Sequence, residues 1–314
     1  MNPTVHLSPS VAQALDEHRP VVALESTIFS HLGLPSPANA DALQRCLDAI
    51  SATGAVPAIT AVIDGRARVG IEPGEHERIL GPARKAASRD LPVAVAQRWD
   101  VGATTVSASL ALAARAGIGV FTTGGIGGVH RDAATSGDVS ADLGALGSYP
   151  VVTVCAGAKA FLDLPRTLEH LEMLGVPVLG WASDEFPAFT SVSSGLPVPH
   201  RVDSAEEVAA VVTAQRDLGS PTGVVVTVPL AEADAVPADE LEAATAEALT
   251  AAEREGLSGP ALTPFVLDRI ATATEGRSVP ANLALAEANA SVAGAIAVAL
   301  AEREAELHRV DPAR

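Results

Sequence analysis

Residues 104–128 read TTVSASLALAARAGIGVFTTGGIGG, and this stretch decides the fold class. Its first part is rich in Ala and Leu and predicts an amphipathic helix, with Thr104 or Thr105 as the cap and Gly117 as the stop signal. Residues 118–122 are a short apolar run that predicts a buried strand, and a cluster of glycines follows. A helix that leads into a buried strand and a glycine-rich loop is typical of an α/β protein.

The same alternation continues on both sides of this stretch. Further buried strands are predicted at Val21–Leu24, 151–155, Val178–Trp181 and 222–228. Helices are predicted to begin at Ser8-Pro9, Ser36-Pro37, Asp163 and the capping box Ser204-x-x-Glu207, and Asp64-Gly65 predicts a hairpin between 58–63 and 66–69. Three more helices are predicted at 237–255, 264–275 and 282–308. We therefore expect one α/β/α layered domain over residues 1–314, with a helical C-terminal section.

Composition narrows the range of partners. The chain has 314 residues with a formal charge of −17 and 48% hydrophobic residues, which indicates a globular protein and argues against a nucleic-acid partner. No apolar run approaches the ~20 residues that span a bilayer, and residues 1–10 lack a secretory pattern. Two cysteines, Cys46 and Cys155, are too few for a disulfide framework or a cysteine-based zinc site. We expect a soluble cytoplasmic protein.

Lysine is rare in this chain. Of 21 basic residues only Lys85 and Lys159 are lysines, and the others are arginines. An amine can lose its proton near neutral pH and form an imine, which a guanidinium cannot do. Two isolated lysines are also compatible with chance, so their positions in the predicted fold matter.

The glycine-rich segment 124–128 does not match a dinucleotide-binding motif. Its spacing is G-G-I-G-G rather than G-x-G-x-x-G, and no Lys-Ser/Thr pair follows as in a P-loop. Glycines after a strand allow a close approach of backbone amides to an anion, and His130 and Arg131 come just after them. The segment is either a plain loop or a phosphate or sugar site.

Glu25 and Lys159 each follow a predicted buried strand. Ligands of open α/β sheets bind outside the carboxyl ends of the strands. Each residue alone is more often a surface charge, but together they predict a carboxylic acid and an amine in one crevice. Small residues before Lys159 would let its amine lose hydration, which exposes the nucleophilic form.

Two further groups of polar residues have both a structural and a functional interpretation. Asp138-Val139-Ser140-Ala141-Asp142 is either a loop with a helix cap or a site for a hard cation of the Mg or Mn kind. Asn282 and Asn289 are seven residues apart and therefore share one helix face, where they either orient a polar ligand or pack inside the protein.

These residues belong to segments that together resemble the pseudouridine-5′-phosphate glycosidases, also called the indigoidine synthase A-like family. The matching segments run in family order through nearly the whole chain: VVALESTIFSHLGLPSP (21–37), GAVPAITAVIDG (54–65), KAASRDLP (85–92), GATTVSASL (102–110), FTTGGIGGVHR (121–131), DVSADL (138–143), CAGAKAFLDLP (155–165) and NLALAEANA (282–290).

The resemblance implies an α/β/α fold, a homotrimer, one Mn²⁺ or other divalent ion per subunit, and reversible cleavage of pseudouridine 5′-phosphate to uracil and ribose 5-phosphate. It implies that Lys159 forms an imine, that Glu25 donates a proton and that Asp138 binds the metal. The substrate contacts that it implies are Lys85, Val106, His130, Ser140, Ala141, Asp142 and Asn289.

The chemistry explains why an amine and an acid are both needed. The base of pseudouridine is attached through carbon, so protonation of a leaving oxygen, as in ordinary glycosidases, cannot release it. We expect Glu25 to assist opening of the ribose ring and Lys159 to attack C1′. Two alternatives stay open, namely a Schiff-base lyase or aldolase that acts on another sugar phosphate, and a phosphosugar-binding protein without catalytic activity.

Overall fold

The computed structural model describes residues 5–257, 259 and 262–310. The strands are β1 Val5–Leu7, β2 Val21–Leu24, β3 Val56–Ile63, β4 Arg66–Val69, β5 Arg84–Ala86, β6 Val101–Thr104, β7 Val120–Thr122, β8 Val129–His130, β9 Val152–Cys155, β10 Leu162–Asp163, β11 Val178–Trp181, β12 His200–Val202 and β13 Val224–Thr227. The α-helices are α1 Pro9–Asp16, α2 Ala38–Ala52, α3 His76–Leu80, α4 Leu91–Ala96, α5 Val106–Ala116, α6 Ala133–Ser136, α7 Ala141–Leu146, α8 Leu164–Met173, α9 Ala205–Asp217, α10 Ala238–Arg254, α11 Leu262–Ala273 and α12 Ser278–Val310. Short 3₁₀ turns lie at Pro73–Glu75, Ser88–Asp90 and Glu232–Asp234.

An 11-stranded sheet forms the centre of the molecule. Seven of its strands are parallel neighbours in the order β3-β2-β7-β9-β13-β11-β12. Both faces of these strands are covered, so β2, β7, β9 and β13 are buried along their whole length. The predicted α/β class with helices flanking a parallel sheet is confirmed.

The register of the central strands decides where the site lies. Leu24 of β2 pairs with Thr122 of β7, which pairs with Val154 of β9. The residues that follow these three positions therefore leave the sheet at the same carboxyl edge. Glu25 and Thr123 are two of them.

The hairpin predicted at Asp64-Gly65 is present as β3 and β4. The two turn residues have φ of 52° and 72°, the left-handed conformation that this turn requires. The strands β5 and β6, which the sequence did not predict, extend the sheet beside it. Strand β5 carries Lys85.

The C-terminal helix α12 packs against α2, α9 and the strands β2, β7 and β9. It begins at Ser278, four residues before the predicted start at Asn282. By length and composition it could span a membrane, in contrast to the expectation from the sequence, but 61% of its most apolar stretch is buried inside the protein. This burial is the environment of a core helix.

Candidate active site

A cavity of about 480 Å³ opens at the carboxyl edge of the central strands. Its walls come from the loops after β2, β7 and β9, the N-terminus of α5, and the helices α10, α11 and α12. Nine of the residues expected at a site line this cavity: Glu25, Lys85, Val106, His130, Asp138, Ser140, Ala141, Asp142 and Lys159. Residues that are as far as 134 positions apart in the sequence thus meet in one place.

Glu25 is a buried acid. The residue is 7% exposed, and its carboxyl group accepts a hydrogen bond from the hydroxyl of Thr123. Burial raises the pKa of the Glu25 carboxyl, and the nearby charge of Lys159 and the Thr123 hydroxyl oppose part of this rise. A carboxyl with a raised pKa keeps its proton to higher pH, as a general acid requires.

Lys159 reaches the cavity from the loop after β9. Its ammonium nitrogen Nζ donates a hydrogen bond to the carbonyl of Gly125 at 2.9 Å, and its backbone N–H donates to the carbonyl of Ile126 at 3.1 Å. Space near this carbonyl is limited, because a Cβ on Gly125 would lie 2.6 Å from the ring of Phe189. Lys159 is therefore held against the glycine-rich loop.

Lys85 lies on the opposite wall, next to the N-terminus of α5. The backbone N–H of Thr105 donates to the carbonyl of Ala86, so β5 and the start of α5 are adjacent. Burial lowers the pKa of the Lys85 amine, and the positive charge of Lys159 adds to this effect. At the first helical position, Val106 has a backbone N–H without an intrahelical acceptor, which explains how an apolar residue can contribute to an anion site.

The carboxylate of Asp142 is already hydrogen-bonded within the protein. Its two carboxylate oxygens accept hydrogen bonds from the backbone N–H groups of Ser107 and Gly127, both at 2.9 Å. Ser140 caps α7 by accepting from the N–H of Asp142. Asp142 thus joins the start of α5 to the glycine-rich loop.

His130 and Asp138 lie together at another side of the cavity. Nε2 of His130 is 3.9 Å from a carboxylate oxygen of Asp138, whose side chain is 32% exposed. Over residues 5–257, 259 and 262–310 there is no cluster of three or more His, Cys, Asp or Glu side chains that could hold a metal. One accessible carboxylate in a cavity suits a hard cation that keeps most of its waters and shares substrate oxygens.

Asn289 is the one expected site residue that does not line the cavity. It is 0% exposed, and its amide Nδ2 donates to the carbonyls of Thr123 at 2.8 Å and Gly124 at 3.2 Å. Asn282, which lies two turns earlier on the same face of α12, does line the cavity. The shared face was predicted correctly, but periodicity alone does not tell which of the two asparagines lies deeper.

Thr123 lines the cavity and is a candidate site residue that the sequence analysis did not identify. It directly follows strand β7, just before the glycines, and its hydroxyl is bonded to Glu25. The argument from strand ends that selected Glu25 and Lys159 applies equally to Thr123 and would have found it.

A family model described as "Indigoidine synthase A like protein" matches residues 10–299. The chain belongs to the indigoidine synthase A-like family. Among its relatives, a protein named pseudouridine-5′-phosphate glycosidase from Methylobacterium nodulans is 49% identical over 95% of this chain and 89% of its own length. A protein with the same name from Nocardioides sp. is 50% identical over 94% of this chain and 96% of its own length.

Two solved structures share the fold of this member of the indigoidine synthase A-like family. The prealnumycin C-glycosynthase AlnA, solved in complex with ribulose 5-phosphate, is 36% identical with a TM-score of 0.88 over 96% of this chain and 98% of its own. An indigoidine synthase A-like protein from Thermotoga maritima is 34% identical with a TM-score of 0.86 over 95% of this chain and 96% of its own. The resemblance found in the sequence is therefore confirmed.

Proposed function

We propose that this protein is an enzyme that cleaves the C-glycosidic bond of pseudouridine 5′-phosphate reversibly, giving uracil and ribose 5-phosphate. One observation carries the proposal: both lysines of the chain and the buried acid Glu25 face the same cavity. The curated relatives named pseudouridine-5′-phosphate glycosidase, which match nearly the full length, support the same reaction.

The reaction assigns a step to each group. Glu25 gives its proton to the ring oxygen O4′ as the C1′–O4′ bond breaks, and the neutral amine of Lys159 forms a bond from Nζ to C1′. Nζ then returns one proton to the ionised Glu25, and the C1′–C5 bond breaks as C5 of uracil takes up this proton from Glu25 and the nitrogen lone pair forms a C=N bond to C1′. Water adds to this imine and releases ribose 5-phosphate and the free amine. The net reaction consumes one water and needs no oxidant or reductant.

Lys85 and the start of α5 are proposed to bind the 5′-phosphate. The N-terminus of this 11-residue helix presents the positive end of the helix dipole, and of its first-turn N–H groups that of Ser107 already donates to Asp142. The amine of Lys85 adds a point charge beside it. Ser140, Ala141 and His130 line the same cavity and are proposed to contact the rest of the substrate.

Asp138 is proposed to hold one Mn²⁺ or similar divalent ion, with water and substrate oxygens as the other ligands. Such an ion supplies Lewis-acid polarisation and orients water when it is bound. Replacing Asp138 by Asn removes the charge that a hard cation needs. We expect Asp138→Asn to require at least about tenfold more Mn²⁺ for half-maximal activity with little change in melting temperature. An unchanged Mn²⁺ titration would place the metal elsewhere.

The proposed activity is tested by incubating the protein with pseudouridine 5′-phosphate and Mn²⁺ and measuring uracil by chromatography. In parallel, borohydride is added with ribose 5-phosphate, and we expect a single labelled peptide that contains Lys159. A lyase or aldolase with another substrate would give the label without uracil, and a binding protein would give neither. A label on Lys85 would contradict the assigned mechanism.

Synthesis in the reverse direction is a second candidate function. The likeness to a C-glycosynthase favours it, since formation and cleavage of a C-glycosidic bond pass through the same intermediates. Incubation of uracil with ribose 5-phosphate, followed by detection of pseudouridine 5′-phosphate, tests this direction.

The assembly and the location are also proposals, and they rest on the family resemblance. We propose a cytoplasmic homotrimer. Light scattering coupled to gel filtration should give three times the chain mass of 31.8 kDa, and a mass of one or two chains would contradict the trimer.

A further inference from the structure

The short loop 123–125 supports both reacting groups of the proposed mechanism. The hydroxyl of Thr123 donates to the carboxyl of Glu25, and two residues later the carbonyl of Gly125 accepts from Nζ of Lys159. A shift of this loop would move the acid and the amine together. What holds the loop therefore matters for the reaction.

Asn289 of helix α12 is bonded to this loop and does not line the cavity itself. Its Nδ2 donates to the carbonyls of Thr123 and Gly124, the two peptides that lie between the contacts to Glu25 and Lys159. Both partners are carbonyl oxygens, which fixes the orientation of the amide because only its nitrogen can donate. From the cavity side, the ring of Phe189 packs against Gly124 and Gly125, with a left-handed backbone of φ 60° at Phe189.

The oxygen of the Asn289 amide indicates that this residue does more than fill space inside the protein. Its Oδ1 is buried without a hydrogen-bond partner among the described residues. A buried polar atom without a partner lowers stability; an apolar side chain at this place would remove that cost but would also take the Nδ2 donor away from the carbonyls of Thr123 and Gly124. The sequence keeps an asparagine, whose contribution is the pair of hydrogen bonds to the loop.

We propose that Asn289 is a positioning residue that aligns Glu25 and Lys159 through the backbone of Thr123, Gly124 and Gly125. It touches neither group itself. The inference rests on the proposed function for its kinetic consequences, while its effect on Glu25 can be measured without turnover.

The hydrogen bond from Thr123 gives this proposal a specific signature. Three charged groups face Glu25, namely Lys159, Asp142 and Lys85, and none of them is bonded to Asn289. Loss of Asn289 would weaken only the Thr123 contact, which stabilises the ionised carboxylate. The pKa of Glu25 should therefore rise further when Asn289 is removed.

The experiment compares Asn289→Ala and Asn289→Leu with the wild type. In infrared titrations of the ligand-free protein, the carboxyl band of Glu25 is assigned by its loss in Glu25→Gln. We expect its midpoint to move up by about half a pH unit to one unit in both variants, as expected for a weakened bond to a charged group. Thr123→Val should give the same shift, and Thr123→Val combined with Asn289→Ala should add nothing further.

Kinetics supply the second measurement. We expect kcat to fall by about tenfold to a hundredfold in both variants while KM changes by less than about threefold, because the binding groups stay in place. Asn289→Leu keeps the number of side-chain heavy atoms and removes the donor without adding a charge, so it separates hydrogen bonding from packing.

Asn39→Ala is the matched control. Asn39 is also a buried asparagine whose Nδ2 donates to two carbonyls, those of Phe29 and Leu80, but it touches neither Glu25 nor the 123–125 loop. It should lower the melting temperature without moving the Glu25 band. Folded Asn289 variants with an unchanged Glu25 midpoint and kcat would overturn the proposal, whereas a wild type without turnover would refute the proposed function alone.

Discussion

Lys159 and Lys85 face one cavity, but their surroundings assign them different tasks. Lys159 is held against the carbonyl of Gly125 near the acid Glu25, and Lys85 lies beside the N-terminus of α5. An arginine keeps the positive charge at either place and cannot form an imine.

We expect Lys159→Arg to reduce turnover to background while binding of ribose 5-phosphate persists. Lys85→Arg should raise KM with measurable kcat, because charge and donors for a phosphate remain. Steady-state kinetics and calorimetric binding on both variants measure this difference. Substantial turnover in Lys159→Arg would contradict the assigned roles. An equal loss of kcat in Lys159→Arg and Lys85→Arg, with both variants folded, would also contradict them.

Glu25 links activity to stability. Because burial raises its pKa above that of the unfolded chain, the folded protein binds the proton more tightly, and its stability falls as the pH rises through the raised pKa. Gln imitates the protonated acid and cannot ionise. We expect Glu25→Gln to lose about 10²-fold or more of kcat and to melt at a higher temperature than the wild type at pH 8.

The same comparison at low pH is the control for Glu25. The gain in melting temperature should disappear toward pH 4, where the carboxyl of the wild type is also protonated. A gain that does not depend on pH would show that burial of the charge is not its cause.

At the scale of elements, the glycine-rich loop depends on close packing against α7. A Cβ on Gly127 would lie 2.2 Å from Oγ of Ser140 and 2.9 Å from Oδ2 of Asp142. We expect Gly127→Ala to lower the free energy of unfolding by about 1–3 kcal/mol and to reduce kcat, because Asp142 would lose its place. Gly144→Ala in the same helix is the control, since nothing lies within 4 Å of its added Cβ. In urea unfolding, Gly144→Ala should leave the free energy of unfolding unchanged or raise it by up to about 1 kcal/mol. An equal loss of stability in the two variants would contradict this explanation.

The elements that the sequence predicted well carry their own local signals. The caps at Asp163 and Ser204 accept from the N–H groups of Arg166 and Glu207, as their spacing predicts. Strand β5, the tripeptide that carries Lys85, was missed because three residues have no measurable periodicity and are ordered only by pairing with β6.

The helix predicted from Ser36-Pro37 shows a smaller difference. It begins at Ala38, with Pro37 at the cap position and no side-chain bond to the first turn. The backbone N–H groups of Ala40 and Asp41 donate instead to the carbonyl of Pro37.

At the scale of the whole molecule, the order of strands could not be read from the sequence. Strand ends predicted that Glu25 and Lys159 lie at one edge, but only the register of β2, β7 and β9 brings them to one cavity. Nothing in the sequence indicated that α10 and α11 form one side of the cavity, because Leu241, Leu267 and Ala271 look like ordinary core residues of helices.

Helices α10 and α11, on this side of the cavity, pack mainly against each other. Arg277, just before α12, pairs with Glu240 of α10, and Arg131, just after β8, makes a paired hydrogen bond with Glu242 of α10. The side chains of Arg131 and Glu242 are 37% and 62% exposed, so this ion pair contributes at most about 1 kcal/mol to the free energy of unfolding. Few buried contacts to the rest of the protein imply local opening at low free-energy cost.

We expect amide hydrogen exchange to be faster in α10 and α11 than in the central strands, and ribose 5-phosphate to slow it there because the ligand fills the cavity that these helices border. The 121–131 segment should be protected too, whereas the β3–β4 hairpin, none of whose residues lines the cavity, serves as the reference. Lys159→Arg supplies the control for the origin of the effect. If protection needs only filling of the cavity, the variant shows it at saturating ligand; if it needs the covalent imine, the variant loses it. Exchange in α10 and α11 that is already as slow as in β9 without ligand would show that these helices are fixed to the core, in contradiction to the few contacts that hold them.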